Sequence, residues 1–150
     1  MDEWEFHRTL DVNLGGAYFC TQLAGRLMRE HGGGVILNLV SLRKQANARK
    51  GCSAYLASQA GLLGLTQAVA GELSTYHIRL NALCYGPTDK GLIISHEHKA
   101  AGLQPWQASH PAARLGDHPE LISLVLYLCS EAARSITGRV LFSRLENQVK

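Results

Sequence analysis

The chain has 150 residues, of which 46% are hydrophobic and 18% charged, and its formal net charge is +3 at pH 7. This length is typical of a single domain, and the small charge, with no stacking aromatics in the basic stretch SLRKQANARK, argues against a nucleic-acid surface. The most apolar window, residues 54–73, is interrupted by Gln59, Gln67 and Glu72, so no membrane span is expected.

The cysteines show no CxxC pair, so neither a zinc site nor a redox motif is expected. Three of them sit inside apolar runs, which predicts buried, reduced thiols in a cytoplasmic protein. The opening MDEWEFHR is charged where a signal peptide needs an apolar core, and it favours the same location. The four cysteines are Cys20, Cys52, Cys84 and Cys129.

The first predicted element is a helix over residues 3–31, because apolar or small residues recur there every three or four positions. The glycine run at 32–34 ends it. The segment VILNLVS that follows is a short, nearly continuous apolar run, as expected of a strand covered on both faces. The repeating residues of the helix are Leu10, Leu14, Ala17, Thr21, Ala24 and Met28.

A second helix is predicted from 53 to 76, with Ser53 as its cap. Small residues recur along one side of it, and a smooth stripe of this kind lets another backbone approach closely. That backbone can belong to a second chain or to the same domain, and the sequence leaves both open. The stripe consists of Ala57, Gly61, Gly64, Ala68 and Gly71.

Three further segments complete the pattern: IRLNALCY as a buried strand, HPELISLVLYLCSEAA as a third helix, and GRVLFS as a last strand. Helices alternating with strands predict an α/β fold with a parallel sheet. A doubly wound nucleotide-binding domain has about six strands, whereas only about three are predicted here. The expected fold is therefore an incomplete Rossmann-like doubly wound parallel sheet with covering helices.

Four polar residues stand out by their places in this pattern. Ser41 ends the first predicted strand, at the edge where open parallel sheets bind ligands. Tyr55 and Gln59 are four residues apart and share a helix face, while Asn13 lies within the first helix. Taken singly, polar residues near a sheet are more often structural than catalytic. No glycine-rich fingerprint follows a strand, so no pyrophosphate site is indicated.

The order of the segments is more specific. DVNLGGAYFCTQLAGRLM, GGGVILNLVS, AYLASQAGLLGLTQAVAGEL, IRLNALCYGPTD and RLGDHPELISLVLYLCSEAARSITGRVL together resemble the C-terminal part of the short-chain dehydrogenase/reductase family, from Trp4 to about Leu141. The resemblance implies that residues 1–150 are part of a single NAD(P)-binding domain. It implies NAD or NADP as cofactor, an alcohol or ketone as substrate, and a homo-oligomer formed through helices 3–31 and 53–76.

The resemblance also implies roles. Asn13 matches an asparagine that holds a water in a proton relay, Ser41 a serine that binds the substrate carbonyl, and Tyr55 the general acid/base. Gln59 stands where the family has a lysine that binds the nicotinamide ribose and stabilises the phenolate. An ammonium about 4 Å from a phenolate contributes roughly 4 kcal/mol at an effective dielectric near 20. Glutamine can hydrogen-bond a ribose but supplies no charge, so a site with lowered catalytic activity is expected.

The next segment, YGPTDKG, departs from the family pattern, with Tyr85 in the place of a proline and Lys90 in that of a threonine. Gly86 is kept, and Pro87 and Thr88 lie where they could touch the nicotinamide carboxamide. The cofactor-binding residues implied by the resemblance are Tyr55, Gln59, Gly86, Pro87 and Thr88.

The family's N-terminal half, with its glycine-rich turn, has no counterpart before Met1. The first strand is therefore expected to be a sheet edge, and dinucleotide binding by these 150 residues is expected to be weak or absent. The alternative is a non-catalytic remnant that acts as a dimerisation or interaction module. No metal site is expected, because the histidines of the SHEHK region lack HExxH spacing. They are His96, His98, His110 and His118.

Overall fold

The computed structural model describes residues 2–41, 52–85 and 118–143. The chain begins with a continuous helical run made of α1 (Glu3–Leu10), a π-helical turn (Asp11–Gly15) and α2 (Gly16–Glu30). The Asp2 carboxylate caps α1 by accepting a hydrogen bond from the Glu5 amide at 2.7 Å. Gly32 and Gly33 have positive φ angles of 84° and 136° and end the run. The single helix predicted over 3–31 is confirmed, with a π turn added.

The described strands form one parallel sheet in the order β1 (Gly34–Ser41), β2 (Ile78–Tyr85), β3 (Val140–Phe142). The register pairs Gly34 with Ile78 at one end of β1 and β2, and Ser41 with Tyr85 at the other. The two longer strands follow the predicted segments closely, while β3 is shorter than GRVLFS. Within the described residues, β1 has a strand on one side only, as expected of a sheet edge.

Helices cover both faces of the sheet. On one face, α3 (Ser53–Ser74) packs Leu62 against Val40 and Ala82. On the other, α4 (His118–Cys129) packs Leu128 against Leu83. Because strand side chains alternate between faces, β1 and β2 contribute to both clusters, which explains their nearly continuous apolar sequences. The predicted incomplete Rossmann-like α/β arrangement is confirmed.

Three local predictions were wrong. Ser53 is the first residue of α3 rather than its cap, since Cys52 occupies the capping position and makes no side-chain capping hydrogen bond. The helix ends at Ser74, because residues 75–77 form a turn in which His77 has a φ of 60°. The third predicted helix ends at Cys129, and Glu131–Ala133 form a separate 3₁₀ turn.

The prediction of buried thiols holds for Cys84 alone. None of the four cysteines forms a disulfide, but Cys20 and Cys129 are exposed and Cys52 is half-buried. The apolar runs that suggested burial belong to α2 and α4, whose outer faces also expose large apolar side chains such as Phe19 and Leu126. None of the helices in the described ranges is long and apolar enough to cross a bilayer.

A buried asparagine joins β2 to the segment that leads into β3. The Asn81 side chain is completely buried; its amide nitrogen donates to the Ile136 carbonyl at 2.8 Å, and its oxygen accepts from the Arg139 amide at 3.0 Å. These two bonds pair a buried side chain with the backbone groups of Ile136 and Arg139, and they hold β3 in register beside β2.

We expect Asn81→Ala to lower the free energy of unfolding by about 2–4 kcal/mol, since two hydrogen bonds of a buried side chain are lost and a cavity is left in its place. Asn38→Ala on β1 is the matched control. Asn38 is half-buried and donates one hydrogen bond, to Thr66 Oγ1 at 2.9 Å, so about 1 kcal/mol is expected there. Urea unfolding followed by circular dichroism measures both variants, and equal losses would contradict the assigned role of Asn81.

Candidate functional site

The candidate site lies at the carboxyl ends of β1 and β2. Ser41 and Tyr85 are the last residues of these strands and are partners in the register. Opposed residues of neighbouring parallel strands place their side chains on the same face of the sheet, so the two hydroxyl-bearing side chains are neighbours. Open parallel sheets bind ligands at this edge.

Tyr55 reaches this edge from α3. It lies in the first turn of the helix and is half-buried. Its backbone carbonyl accepts a hydrogen bond from the Ser58 hydroxyl at 2.7 Å, which ties the first turn of α3 to the buried face of the helix. Ser58 itself is completely buried. Because a half-buried phenol keeps part of its surface accessible, Tyr55 is not sequestered in the core.

Gln59 is almost entirely buried, with 7% of its surface exposed. Its side-chain oxygen accepts a hydrogen bond from the Ser41 backbone amide at 2.9 Å. The structure therefore brings Gln59 and Ser41 into direct contact, as two residues of one site. The contact uses the acceptor atom of glutamine, an atom that a lysine at this position would lack.

Asn13 lies in the π turn and also reaches α3. Its amide nitrogen donates to the Ser58 hydroxyl at 3.1 Å, and that hydroxyl donates to the Tyr55 carbonyl. Asn13, Ser58 and Tyr55 thus form one hydrogen-bonded chain. π-helical turns are rare and occur frequently at functional sites. The water relay implied by the resemblance stays a prediction.

Two residues of this site were missed by sequence reasoning. Ser58 gave no signal beyond its place three residues after Tyr55, and Tyr85 was noted only as a departure from the family pattern. Burial raises the pKa of the Tyr85 phenol, and the negative charge of the Tyr55 phenolate raises it further. The two phenols are therefore close enough to interact electrostatically.

The remaining predicted residues Gly86, Pro87 and Thr88 lie outside the described residues, as do Lys90 and the histidines at 96, 98 and 110. Backbone alone is described for His118, at the start of α4. Within the described ranges, no group of three His, Cys, Asp or Glu side chains is arranged to hold a metal ion.

A cavity of about 630 Å³ lies at the opposite, amino-terminal ends of the strands, between Gly33, His77 and Arg134. Arg79 also lines it, but its guanidinium donates to the Leu128 and Ser130 carbonyls at 2.8 and 3.1 Å. That cation stabilises the C-terminal end of α4, where unpaired carbonyls gather. The candidate site is therefore the carboxyl edge, where hydroxyl and amide groups converge.

Comparison with known proteins decides the family. A family model described as enoyl-(acyl carrier protein) reductase matches residues 1–143. A 3alpha-hydroxysteroid dehydrogenase of Mediterraneibacter gnavus is 34% identical over 137 residues, which are 91% of this chain and 54% of that protein. The chain belongs to the short-chain dehydrogenase/reductase family.

Solved structures of the short-chain dehydrogenase/reductase family share the fold. A protein of Sinorhizobium meliloti 1021, assigned as a short-chain alcohol dehydrogenase, superposes with a TM-score of 0.86 and 33% identity over 96% of this chain and 57% of its own. An NAD⁺-bound xylitol dehydrogenase superposes with a TM-score of 0.80 and 25% identity over 94% of this chain and 59% of its own. The chain spans about half the length of the curated relatives it matches.

The raised pKa of Tyr85 makes stability depend on alkaline pH. Unfolding restores the ordinary value of 10.0, so above about pH 10 the unfolded chain releases a proton that the folded chain still holds. The free energy of unfolding must then fall as pH rises between the unfolded and folded pKa values. Tyr85→Phe should reduce this fall, whereas Tyr55→Phe should reduce it only in part, because burial is the larger cause.

Urea unfolding at pH 9 and pH 11 measures this effect, with absorbance at 295 nm following phenolate formation. Tyr127→Phe, on the exposed side of α4, controls for the loss of a tyrosine hydroxyl elsewhere. If the free energy of unfolding of Tyr85→Phe depended on pH as it does in the wild-type chain, the Tyr85 phenol would not have a raised pKa.

Proposed function

We propose that residues 1–150 are the C-terminal part of a single NAD(P)-binding Rossmann-like domain, and that the whole protein moves hydride between a nicotinamide and an alcohol or ketone. The observation that carries the proposal is the meeting of Ser41, from β1, with the helix that bears Tyr55, through the Gln59 contact at 2.9 Å. The NAD⁺-bound relative supports NAD as one candidate, and NADP remains the other. A cytoplasmic location is part of the proposal and is supported by four cysteines that form no disulfide.

The described residues suit the nicotinamide and ribose end of the cofactor. Ser41 ends β1 at the carboxyl edge, Tyr55 lies in the first turn of α3, and Gly86, Pro87 and Thr88 follow directly after β2 in the chain. The cofactor supplies or accepts the hydride when it is bound. In the proposed reduction, the Ser41 hydroxyl donates a hydrogen bond to the substrate carbonyl oxygen and the Tyr55 phenol transfers a proton to that oxygen. The products are an alcohol and a Tyr55 phenolate.

Replacement of the family lysine by Gln59 biases this chemistry. Oxidation of an alcohol requires the phenolate as base, and no charge at position 59 stabilises that form. Reduction begins with the neutral phenol and depends less on the missing charge. The Asn13 side-chain nitrogen donates a hydrogen bond to Ser58. Any role of Asn13 in a proton relay therefore uses its backbone carbonyl or the other atoms of its side-chain amide. The proposed site therefore favours reduction and works slowly.

We expect the 150-residue chain to bind NADH or NADPH with a dissociation constant weaker than about 1 mM, equivalent to less than roughly 4 kcal/mol of binding free energy. No described residue supplies a glycine-rich turn for the pyrophosphate, and turnover should be negligible for the same reason. Titration of each cofactor, monitored by nicotinamide fluorescence, measures this, with Tyr55→Phe as the site-directed control. Micromolar binding by the wild-type chain would show that the site needs no further segment.

A second candidate function, a dimerisation or interaction module, is favoured by the outer surface of α1, α2 and α3. A groove of about 450 Å³ opens between Leu14 and Phe19 on one side and Leu65 on the other. Phe19, at 66% exposure, and other large apolar side chains extend the surface, and apolar patches of this kind mark interaction sites. The further exposed residues are Trp4, Phe6, Val12, Tyr18, Leu23 and Leu27.

Some residues of the small-residue stripe of α3 pack within the domain, and others are free to contact a second chain. A Cβ on Gly61 would lie 2.8 Å from Leu14 Cδ2, so Gly61 serves packing within the domain. Gly64 and Gly71 would place a Cβ in open space, and Ala57 and Ala68 are exposed. We propose that these exposed members, with the groove, form the homo-oligomer contact through the helices at 3–31 and 53–76.

Gly64→Lys tests this contact, because position 64 has room for a side chain in the monomer. Lysine is also a better helix former than glycine, so folding should be unaffected or improved. We expect at least about a tenfold weaker association, near 1.4 kcal/mol, measured by sedimentation equilibrium. Gly64→Ala is the matched control, since a methyl group keeps the surface smooth. Association that is equally strong in both variants would place the contact elsewhere.

A further inference from the structure

The contact between Gln59 and Ser41 joins two segments that are 18 residues apart in the chain. Ser41 is the last residue of β1, and residues 42–51 connect it to α3. The hydrogen bond therefore connects the end of the strand directly to the second turn of the helix that carries Tyr55. Gln59 is 7% exposed, so little water competes for its side-chain oxygen.

The chemistry of this bond requires an acceptor at position 59. A backbone N–H that loses its partner away from water costs most of its desolvation free energy. Glutamine and glutamate carry a side-chain oxygen that can accept from the Ser41 amide, whereas lysine carries three donors and no acceptor. A lysine here would supply donors only, so the Ser41 amide would lose this acceptor. Position 59 in this chain is thus suited to a neutral acceptor.

The location of Ser41 makes the bond consequential. β1 has one strand neighbour in the described sheet, and the ends of edge strands open most readily. A second polar contact between β1 and α3, from Asn38 to Thr66, lies three residues earlier in the strand. Apolar packing of Val40 against Leu62 lies between the two. Gln59 supplies the contact at the final residue of the strand, Ser41.

We propose that Gln59 is a positioning residue, whose side-chain oxygen holds the Ser41 backbone amide and so fixes the end of β1 relative to the helix that carries Tyr55. A role for Ser41 in the reaction rests on the function proposed above, but the attachment of the strand end does not. Gln59→Lys should release the Ser41 amide from α3, because a lysine side chain has no acceptor atom.

Amide hydrogen exchange of the wild-type chain and three variants, Gln59→Glu, Gln59→Met and Gln59→Lys, tests this inference. Measured by NMR, the Ser41 amide should exchange at least about tenfold faster in Gln59→Met and Gln59→Lys, which corresponds to 1.4 kcal/mol of lost protection. Gln59→Glu keeps an acceptor oxygen and should keep the protection. A buried ammonium could unfold Gln59→Lys. The comparison of Gln59→Met with Gln59→Glu then tests whether an acceptor oxygen at position 59 protects the Ser41 amide, since methionine has a similar length and no charge.

Thr66→Val is the matched control. It removes the other polar contact between β1 and α3, so it should lower the melting temperature while Ser41 exchange relative to the other slow amides is unchanged. Rapid exchange in Gln59→Glu, or full protection in Gln59→Met, would overturn the positioning role. The proposed function is tested by a different measurement. If a longer protein that contains this chain binds no dinucleotide, the dehydrogenase proposal is refuted, regardless of the amide exchange rate at Ser41.

Discussion

Helix α3 packs across the parallel pair β1–β2, and this contact determines where every polar group of the candidate site lies. Leu62 meets Val40 and Ala82 beneath the helix, and the register places Ser41 beside Tyr85 at the ends of the strands. Once the helix is held in that position, its first two turns project over the carboxyl edge. The apolar contact therefore sets the distance between α3 and the end of β1, and at that distance the Ser41 amide can donate a hydrogen bond to Gln59. Without the packing, the polar residues would have no common location.

The site that results is neutral in its described part. Hydroxyl groups come from Ser41, Tyr55 and Tyr85, and the one buried amide side chain beside them, Gln59, is used as an acceptor for backbone. Burial keeps the pKa of Tyr85 above its ordinary value, so this phenol adds a hydrogen-bond donor without adding charge. Among the described residues of the site, no cationic side chain stands beside the Tyr55 phenol, because position 59 carries a neutral amide.

The outer surface is explained by the same physical principle, because apolar area is costly wherever it meets water. α2 buries Thr21 and Gly25 on its inner side and exposes Phe19 and Leu27 on its outer side. β1 leaves one edge without a neighbouring strand among the described residues.

The sequence by itself determined the order of the elements, the parallel sheet and the family, because hydrophobic periodicity reports how each segment is buried and ordered motifs report descent. It also showed that position 59 carries no charge. Only the tertiary structure decided that the Gln59 oxygen holds the Ser41 amide, that Asn13 reaches Tyr55 through Ser58, and that Cys20 is exposed. These facts depend on distances between segments far apart in the chain. Periodicity within one segment describes which face is buried and contains no information about the partner that it meets.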